Sequence, residues 1–324
     1  MNNKINHKVF LFSTIQAQFI ENDRQLLLRL ADVSSTYDSG ISAIIKLLYK
    51  PILSDTSIAW FASTYSAIMV FISRIFNKTS IVIIGGADVN KDRQLNYGLL
   101  ISKWKIFFVK YTLNKADYIF ATSNFLIDQS LDLIENKREN ICVLYPGLDP
   151  AYWKPNKKKK STILTVAHCP NEDRFYIKGI DILFEAACAL TEVSFTVIGI
   201  DSKIIKNLNI EVPPNIILLK YISNHELLKY YQCAAVYCQP SRIESLSLTV
   251  GEAMMCGCIP VVSNTGGMPE IVKNSGYIIP SDNSEALSNA ITKALMSNSN
   301  NSRETAMQIF SLSKREQVLR EILS

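Results

Sequence analysis

Short apolar runs alternate along this chain with longer stretches whose apolar positions recur at helical spacing. Lys8–Ser13 reads as an opening strand, and Asp23–Leu30 follows with leucines at 26, 27 and 30 on one helical face. Ser80–Ile84, dominated by β-branched residues and closed by Gly85-Gly86, suits a strand buried on both faces of a parallel sheet. Tyr118–Ala121 and Ile141–Leu144 are further strands, with a helix between them from about Phe125 to Ile134. Ile58–Ile72 is uncharged but carries several Ser and Thr residues, and it falls short of the ~20 residues of a membrane span. It reads as a buried strand or turn followed by a helix.

The texture changes at Pro146-Gly147, Pro150 and Pro155, which are followed by the charge run Lys157–Lys160. A domain boundary is expected near 150–160, with the lysines as a solvated linker rather than a patch for anionic lipid. A second series then begins at Ser161. Its strands are expected at Ile163–Ala167, Ser194–Gly199, Ile216–Leu219, Val236–Cys238 and Ile259–Val262, with helices near 180–190, 225–233 and 249–256. Glu285–Met296 gathers its apolar residues on one helical face, and Asp282 with Glu285 offers it a capping box. A last amphipathic segment runs from about Lys314 to Leu323. Strands alternating with helices predict a parallel α/β sheet in each half.

At 324 residues the chain suits two domains, and 48% hydrophobic against 19% charged residues excludes a largely disordered chain. Residues 1–153 hold 16 basic and 13 acidic side chains, and the remainder 18 and 16, so neither half is a strongly basic nucleic-acid module. The seven cysteines include no C-x-x-C pair and fit a reduced cytosolic setting better than a disulfide framework. No secretory signal is visible, because the apolar run Val9–Phe12 is too short.

Five of the 12 glycines fall between Gly251 and Gly276, which points to backbone demands there. The surrounding window, Ser241 to Ile279, reads as a polar loop, a short helix ended by Gly257, and a strand ended by the Gly266-Gly267 turn. Pro240 and the polar run place Glu244 in the loop, and Glu252 is expected in the first helical turn. N–H groups around Ser247 to Val250 would then leave the helix N-terminus free to hold an anion such as a phosphate. Carboxylates beside a phosphate cannot be there to bind it, but they do accept hydrogen bonds from ribose or hexose hydroxyls. A nucleotide sugar fits both demands. From spacing alone, a capping box of Thr249 with Glu252 and a surface Glu244 stand ahead of that reading.

The window resembles the signature of retaining glycosyltransferases of the GT-B fold, specifically glycosyltransferase family 4. The likeness lies in E-S-x-x-L-T from Glu244, E-A-M from Glu252, C-G-x-x-P-V-V from Cys256 and G-G-x-x-E from Gly266. Lys178-Gly179-Ile180-Asp181 matches the family's K-G-x-D segment, and Pro146-Gly147-Leu148-Asp149 its hinge segment, with proline for asparagine. The resemblance implies two Rossmann-like parallel-sheet domains facing across a cleft. They would be an acceptor-side domain at 1–153 and a nucleotide-sugar domain at 154–305, with a helix at 306–324 returning to the first. It further implies that Glu244 contacts donor sugar hydroxyls, Glu252 the ribose, and the backbone of Leu246, Ser247 and Leu248 the sugar and β-phosphate. Lys178 would neutralise the diphosphate.

Three departures stand out. Ser247 replaces a common glycine, which adds a Cβ near the sugar. His168 stands where the family has an arginine, and Arg174, in the insertion that follows, is the candidate to supply the charge. The histidine expected after Ser80–Ile84 is absent, and Gly85-Gly86-Ala87-Asp88 occupies its place. Asp88 is the candidate to line the cleft there, set against a turn or capping role. His7 reads as an ordinary N-terminal surface residue, and Trp60 and Phe61 as core rather than acceptor platform.

The implied reaction is a metal-independent, retaining hexosyl transfer from a nucleoside-diphosphate sugar, without a further cofactor. The acceptor would be a saccharide or lipid-linked, in cell-surface polysaccharide, lipopolysaccharide or glycolipid synthesis. No D-x-D sits at a strand end, and the three histidines are scattered, so no metal site is expected. The expected location is cytoplasmic. For Lys103, Lys105, Lys110 and Lys115 a solvated helix face is favoured over peripheral contact with the inner membrane surface. The alternatives are a non-catalytic binding partner and a sugar-nucleotide epimerase on the same fold. A dinucleotide-dependent dehydrogenase is disfavoured, since Ser13–Ala17 contains no glycine.

Overall fold

The computed structural model describes residues 5–135, 140–156, 159–297 and 301–324. It divides into two compact units, Met1–Gly147 with Ser311–Ser324, and Leu148–Phe310.

The first unit runs β1 (Lys8–Ser13), α1 (Gln18–Leu30), β2 (Asp32–Tyr37), α2 (Gly40–Tyr49), β3 (Thr56–Trp60), α3 (Thr64–Ile75), β4 (Thr79–Ile84), α4 (Lys103–Lys115), β5 (Tyr118–Ala121), α5 (Asn124–Leu131) and β6 (Ile141–Val143). The second runs β7 (Lys160–Cys169), α6 (Glu172–Ile177), α7 (Ile180–Ala189), β8 (Ser194–Ile200), α8 (Ser202–Leu208), β9 (Ile216–Leu219), α9 (Asn224–Cys233), β10 (Ala234–Gln239), α10 (Leu248–Met255), β11 (Ile259–Ser263), α11 (Met268–Val272), β12 (Tyr277–Ile279), α12 (Ser284–Met296) and α13 (Ser302–Ile309). The last helix, α14 (Leu312–Leu323), belongs to the first unit.

Each unit holds one parallel sheet covered on both faces, as its continuous apolar strands require. The first sheet has the order β2-β1-β3-β4-β5-β6. Strand residues alternate between its two faces. Phe10, Phe12, Val82 and Ile84 pack with Ala43 and Leu47 of α2, Met69 of α3 and Val109 of α4. Val9, Leu11, Ile81 and Ile83 point the other way, onto Leu26 of α1 and Leu319 and Leu323 of α14. There the Arg315 guanidinium meets both Asp23 oxygens at 2.6 Å and donates to the carbonyls of Leu144 and Tyr145 at 2.9 Å. The indole N–H of Trp60 completes the same carboxylate at 3.0 Å, and Trp60 is core, as its sequence context suggested.

The second sheet has the order β12-β11-β10-β7-β8-β9. Read along the chain this is the doubly wound 3-2-1-4-5-6 arrangement. Three local expectations change. Asn283, not Asp282, caps α12 by accepting the Ala286 N–H at 2.7 Å, while Asp282 takes a left-handed φ of 57°. Lys159 is no solvated linker residue, because its ammonium donates to the carbonyls of Tyr231 (3.0 Å) and Ala234 (2.7 Å). Lys157 and Lys158 lie outside the described residues. His7 is half-buried, with Nε2 2.8 Å from the Thr56 hydroxyl.

Candidate active site

In open parallel sheets, ligands bind outside the carboxyl ends of the strands, where the strand order reverses. In the second unit that point lies between β7 and β10, which pair through Ile163↔Val236 and Leu164↔Tyr237. Apart from Asp88, the residues singled out from the sequence lie at the end of β7 or in the loops and helices that follow β7 and β10.

Two glycines, one after α6 and one after β11, let neighbouring loops close on the segment that follows β10. Gly179 has φ 66°, and a Cβ there would lie 1.9 Å from the Pro240 carbonyl oxygen. Gly266 has φ 58°, and its Cβ would lie 1.5 Å from the Glu244 carbonyl oxygen. Only glycine combines that conformation with that approach. Gly267 then donates to the Ser245 carbonyl at 3.0 Å, which fixes the loop between the end of α6 and the Gly-Gly turn.

The consequence is an ion pair. Lys178, at the C-cap of α6, places its ammonium 2.7 Å from the Glu244 carboxylate, with the side chains 19% and 14% exposed. The cation and carboxylate that the resemblance assigns to diphosphate and sugar are thus adjacent. Arg242 buttresses the same loop. Its guanidinium binds both Asp181 oxygens (2.8 and 2.7 Å) and Asp282 (2.6 Å), and the Arg242 backbone N–H donates to the Ile177 carbonyl at 2.8 Å. The Asp181 carboxylate holds the Arg242 proton more tightly than usual. Spacing could not reveal this clamp, because its acids lie at 181 and 282. The one available signal was Asp181 within Lys178-Gly179-Ile180-Asp181.

α10 begins one residue earlier than expected, and its N-cap is Ser247, whose hydroxyl accepts the Val250 N–H at 3.4 Å. The capping box of Thr249 with Glu252 is therefore not formed. The N–H groups of Leu248 and Thr249 open the helix, where no carbonyl four residues behind can receive them. Glu252 falls in the second turn rather than the first. It is partly buried and accepts the Tyr231 hydroxyl at 3.0 Å. Burial pushes its carboxyl up to about 8, against the opposing effect of that hydrogen bond. Beneath the helix start, Tyr237 donates to Gln239 (2.9 Å), and Gln239 to Ser241 (2.7 Å).

His168 is exposed near the end of β7, edge-on to Tyr221 with ring centroids 6.5 Å apart. Arg174 lies in α6 and its carbonyl faces the Cys169 sulfur at 3.5 Å. Burial drives the Cys169 thiol up to about 11, while the Lys178 and Arg174 charges oppose the shift.

In the first unit the strand order reverses between β1 and β3. Phe61, just beyond β3, has a left-handed φ of 73°, and its ring leaves no room for a side chain at Gly85 (2.5 Å). Asp88 does not line an open surface. It is 1% exposed, and its carboxylate accepts backbone N–H groups of Ala62 (2.9 Å), Gly85 (3.2 Å) and Gly86 (2.7 Å). Burial raises its carboxyl from the usual range while these bonds oppose the shift. The turn role is the one realised, and it ties the ends of β3 and β4 together.

Residues 153–308 match the family model "Glycosyl transferases group 1". An 81-residue stretch is 32% identical to O-antigen chain mannosyltransferase B of Escherichia coli, covering 25% of this chain and 21% of that protein. The chain therefore spans about a fifth of that relative. Anabaena Alr3699/HepE, solved with UDP-glucose, superposes with a TM-score of 0.75 at 15% identity over 98% of this chain and 99% of that one. Sucrose-phosphate synthase from Thermosynechococcus elongatus gives 0.72 at 15% identity over 98% of each chain. The fold is thus the two-sheet α/β GT-B architecture expected from the sequence. Over residues 153–308 the resemblance holds at the level of the group 1 family.

Proposed function

We propose that this protein, whose residues 153–308 match the glycosyl transferases group 1 model, transfers a hexose-type sugar from a nucleoside-diphosphate sugar to a saccharide or lipid-linked acceptor. The transfer retains configuration and needs no metal. The observation that carries this reading is the Lys178–Glu244 pair at the strand-order reversal, 2.7 Å apart. It offers a cation to a diphosphate and acceptor oxygens to sugar hydroxyls at one point.

Glu252, at the second turn of α10, receives the ribose hydroxyls. The backbone of Leu246, Ser247 and Leu248 holds the sugar and β-phosphate, aided by the helix N-terminus. As the bond from C1 to the β-phosphate oxygen breaks, its electron pair leaves with the phosphate. Lys178, Arg174 and His168 stabilise the growing negative charge, and one well-placed donor is worth about 3–4 kcal/mol. The acceptor oxygen bonds to C1, and its proton passes to the departing phosphate, so no protein base is required. Asp88 takes no part in proton transfer and serves the loop it orders.

Work on cell-surface polysaccharide or lipopolysaccharide is supported by the name of the O-antigen relative. A cytoplasmic setting is supported by seven free cysteines. Calorimetric titration with UDP, GDP and ADP, repeated on Glu252→Ala, tests the donor site. One nucleotide should bind preferentially and the variant should weaken it. Transfer from the matching sugar donor should survive EDTA and be lost in Lys178→Ala and Glu244→Ala. A folded protein that binds none of the three nucleotides overturns the proposal.

A further inference from the structure

The helices α2, α3 and α4 bury one side in a common core, yet their outer sides are apolar as well. In α2, Ala43 and Leu47 face the core, whereas Ile41, Ile44, Ile45 and Leu48 stand 38–77% exposed at spacings of three, four and seven. That spacing makes a single solvent-facing stripe. Phe71 and Ile75 extend it on α3 (51% and 56% exposed), and Trp104 and Phe107 on α4 (58% and 68%). The three helices carry six basic residues, five of them lysines, and no Asp or Glu; Lys46 is paired with Asp38 at 2.7 Å, and the four lysines of α4 supply most of the remaining charge.

We propose that this face docks on an anionic lipid bilayer. Apolar side chains would enter the headgroup boundary while the lysines meet lipid phosphates. The lysines decide between a bilayer and a protein partner. Lysine is depleted from protein–protein interfaces but extends readily from an apolar surface to charged headgroups. Trp104, with the Lys105 ammonium 5.7 Å from its ring, suits the same boundary. Among the described residues no helix is long and apolar enough to cross a membrane, so the contact is at the surface. This inference goes beyond the transfer chemistry and does not depend on it, although a lipid-linked acceptor would give it a use.

The test is co-sedimentation of the full chain with vesicles of phosphatidylcholine, with or without a third of phosphatidylglycerol. Wild type should bind the anionic vesicles preferentially, and added salt should weaken binding. Each basic residue near the surface contributes about fivefold, so Lys103→Glu with Lys110→Glu should lose at least ~25-fold. Ile44→Gln with Ile45→Gln and Leu48→Gln should lose at least about tenfold. Near-ultraviolet circular dichroism confirms that each variant is folded. Absence of wild-type binding, or binding untouched by both variants, overturns the proposal. So does a wild-type dimer, seen by sedimentation velocity, that the glutamine variant dissociates, since the face would then join two copies. Nucleotide titration of the same proteins keeps the two readings apart: its failure sinks the transfer proposal and leaves vesicle binding standing.

Discussion

If Lys178 serves the diphosphate and Glu244 the sugar, the two halves of one ion pair respond in opposite directions to a nucleotide that lacks a sugar. In the free site the Lys178 ammonium rests 2.7 Å from the Glu244 carboxylate, and both side chains are at least four-fifths buried. An arriving diphosphate must share that ammonium and sit close to the carboxylate. Two like unit charges about 6 Å apart repel by roughly 3 kcal/mol at an effective dielectric constant near 20, and by less where water enters. Glu244→Gln removes the repulsion and releases the ammonium. The sugar-free nucleotide should then bind tighter by about 1–2 kcal/mol, or roughly 5- to 30-fold. Lys178→Met removes a charge-assisted hydrogen bond worth about 1.5–3 kcal/mol and should weaken binding roughly 10- to 150-fold. With the intact sugar donor the gain of Glu244→Gln should vanish, and transfer should fall by about two orders of magnitude. Isothermal calorimetry with the nucleotide and with the donor, followed by product quantification, reads all four values. Should Glu244→Gln weaken the sugar-free nucleotide as far as Lys178→Met does, Glu244 serves only to hold Lys178, and the division of labour is wrong.

Gly266→Ala should cost at least about 3 kcal/mol of stability and abolish nucleotide binding, because its Cβ would meet the Glu244 carbonyl at 1.5 Å. Gly257→Ala, with φ 78° but its nearest neighbours 3.5 Å away, should cost only about 1–2 kcal/mol in the same denaturant titrations. Glu252 has a folded pKa of about 8, above its unfolded value, so its stabilising increment is complete at low pH and is lost as pH rises through 8. Glu252→Gln should therefore flatten the decline in unfolding free energy between about pH 5 and 8, by up to about 1.4 kcal/mol per unit. An unchanged slope would place the Glu252 pKa near the ordinary range. Arg315→Met strands the buried Asp23 carboxylate and should destabilise the first unit by about 3–5 kcal/mol in denaturant melts, while the second unit's melt stays put.

The strands were legible because short apolar runs bounded by polar residues suit buried parallel strands: Tyr118–Ala121 and Ile216–Leu219 fall where the pattern places them. What escaped was locally atypical. β2 (DVSSTY) is a partly exposed edge strand with little apolar content, and α2 carries its main apolar stripe on the wrong side for a core-facing helix. The site divided in the same way. Lys178 and Glu244 could be named from local motifs, but their contact depends on two left-handed glycines in different loops. Asp88 looked like a substitute for a missing histidine. Its partner at Ala62 is a backbone N–H, 26 residues back, and backbone donors leave no trace in residue identity. Arg242 escaped because both its acids are remote in sequence.

The Asp23–Arg315 pair spans 292 positions, and Leu319 and Leu323 supply part of the core under β1 and β4. The first unit is thus built from both ends of the described chain, while the second is one continuous stretch from Leu148 to Phe310. During synthesis the later-made unit holds everything it needs before the earlier-made one does. The first sheet must wait, one apolar face uncovered, until α14 is released, and closing so long a loop is slow. Folding order therefore runs opposite to translation order. A fragment ending at Gly147 would keep the strands of the first unit but leave Asp23 buried without its cation, and it is the aggregation-prone species to expect from incomplete chains.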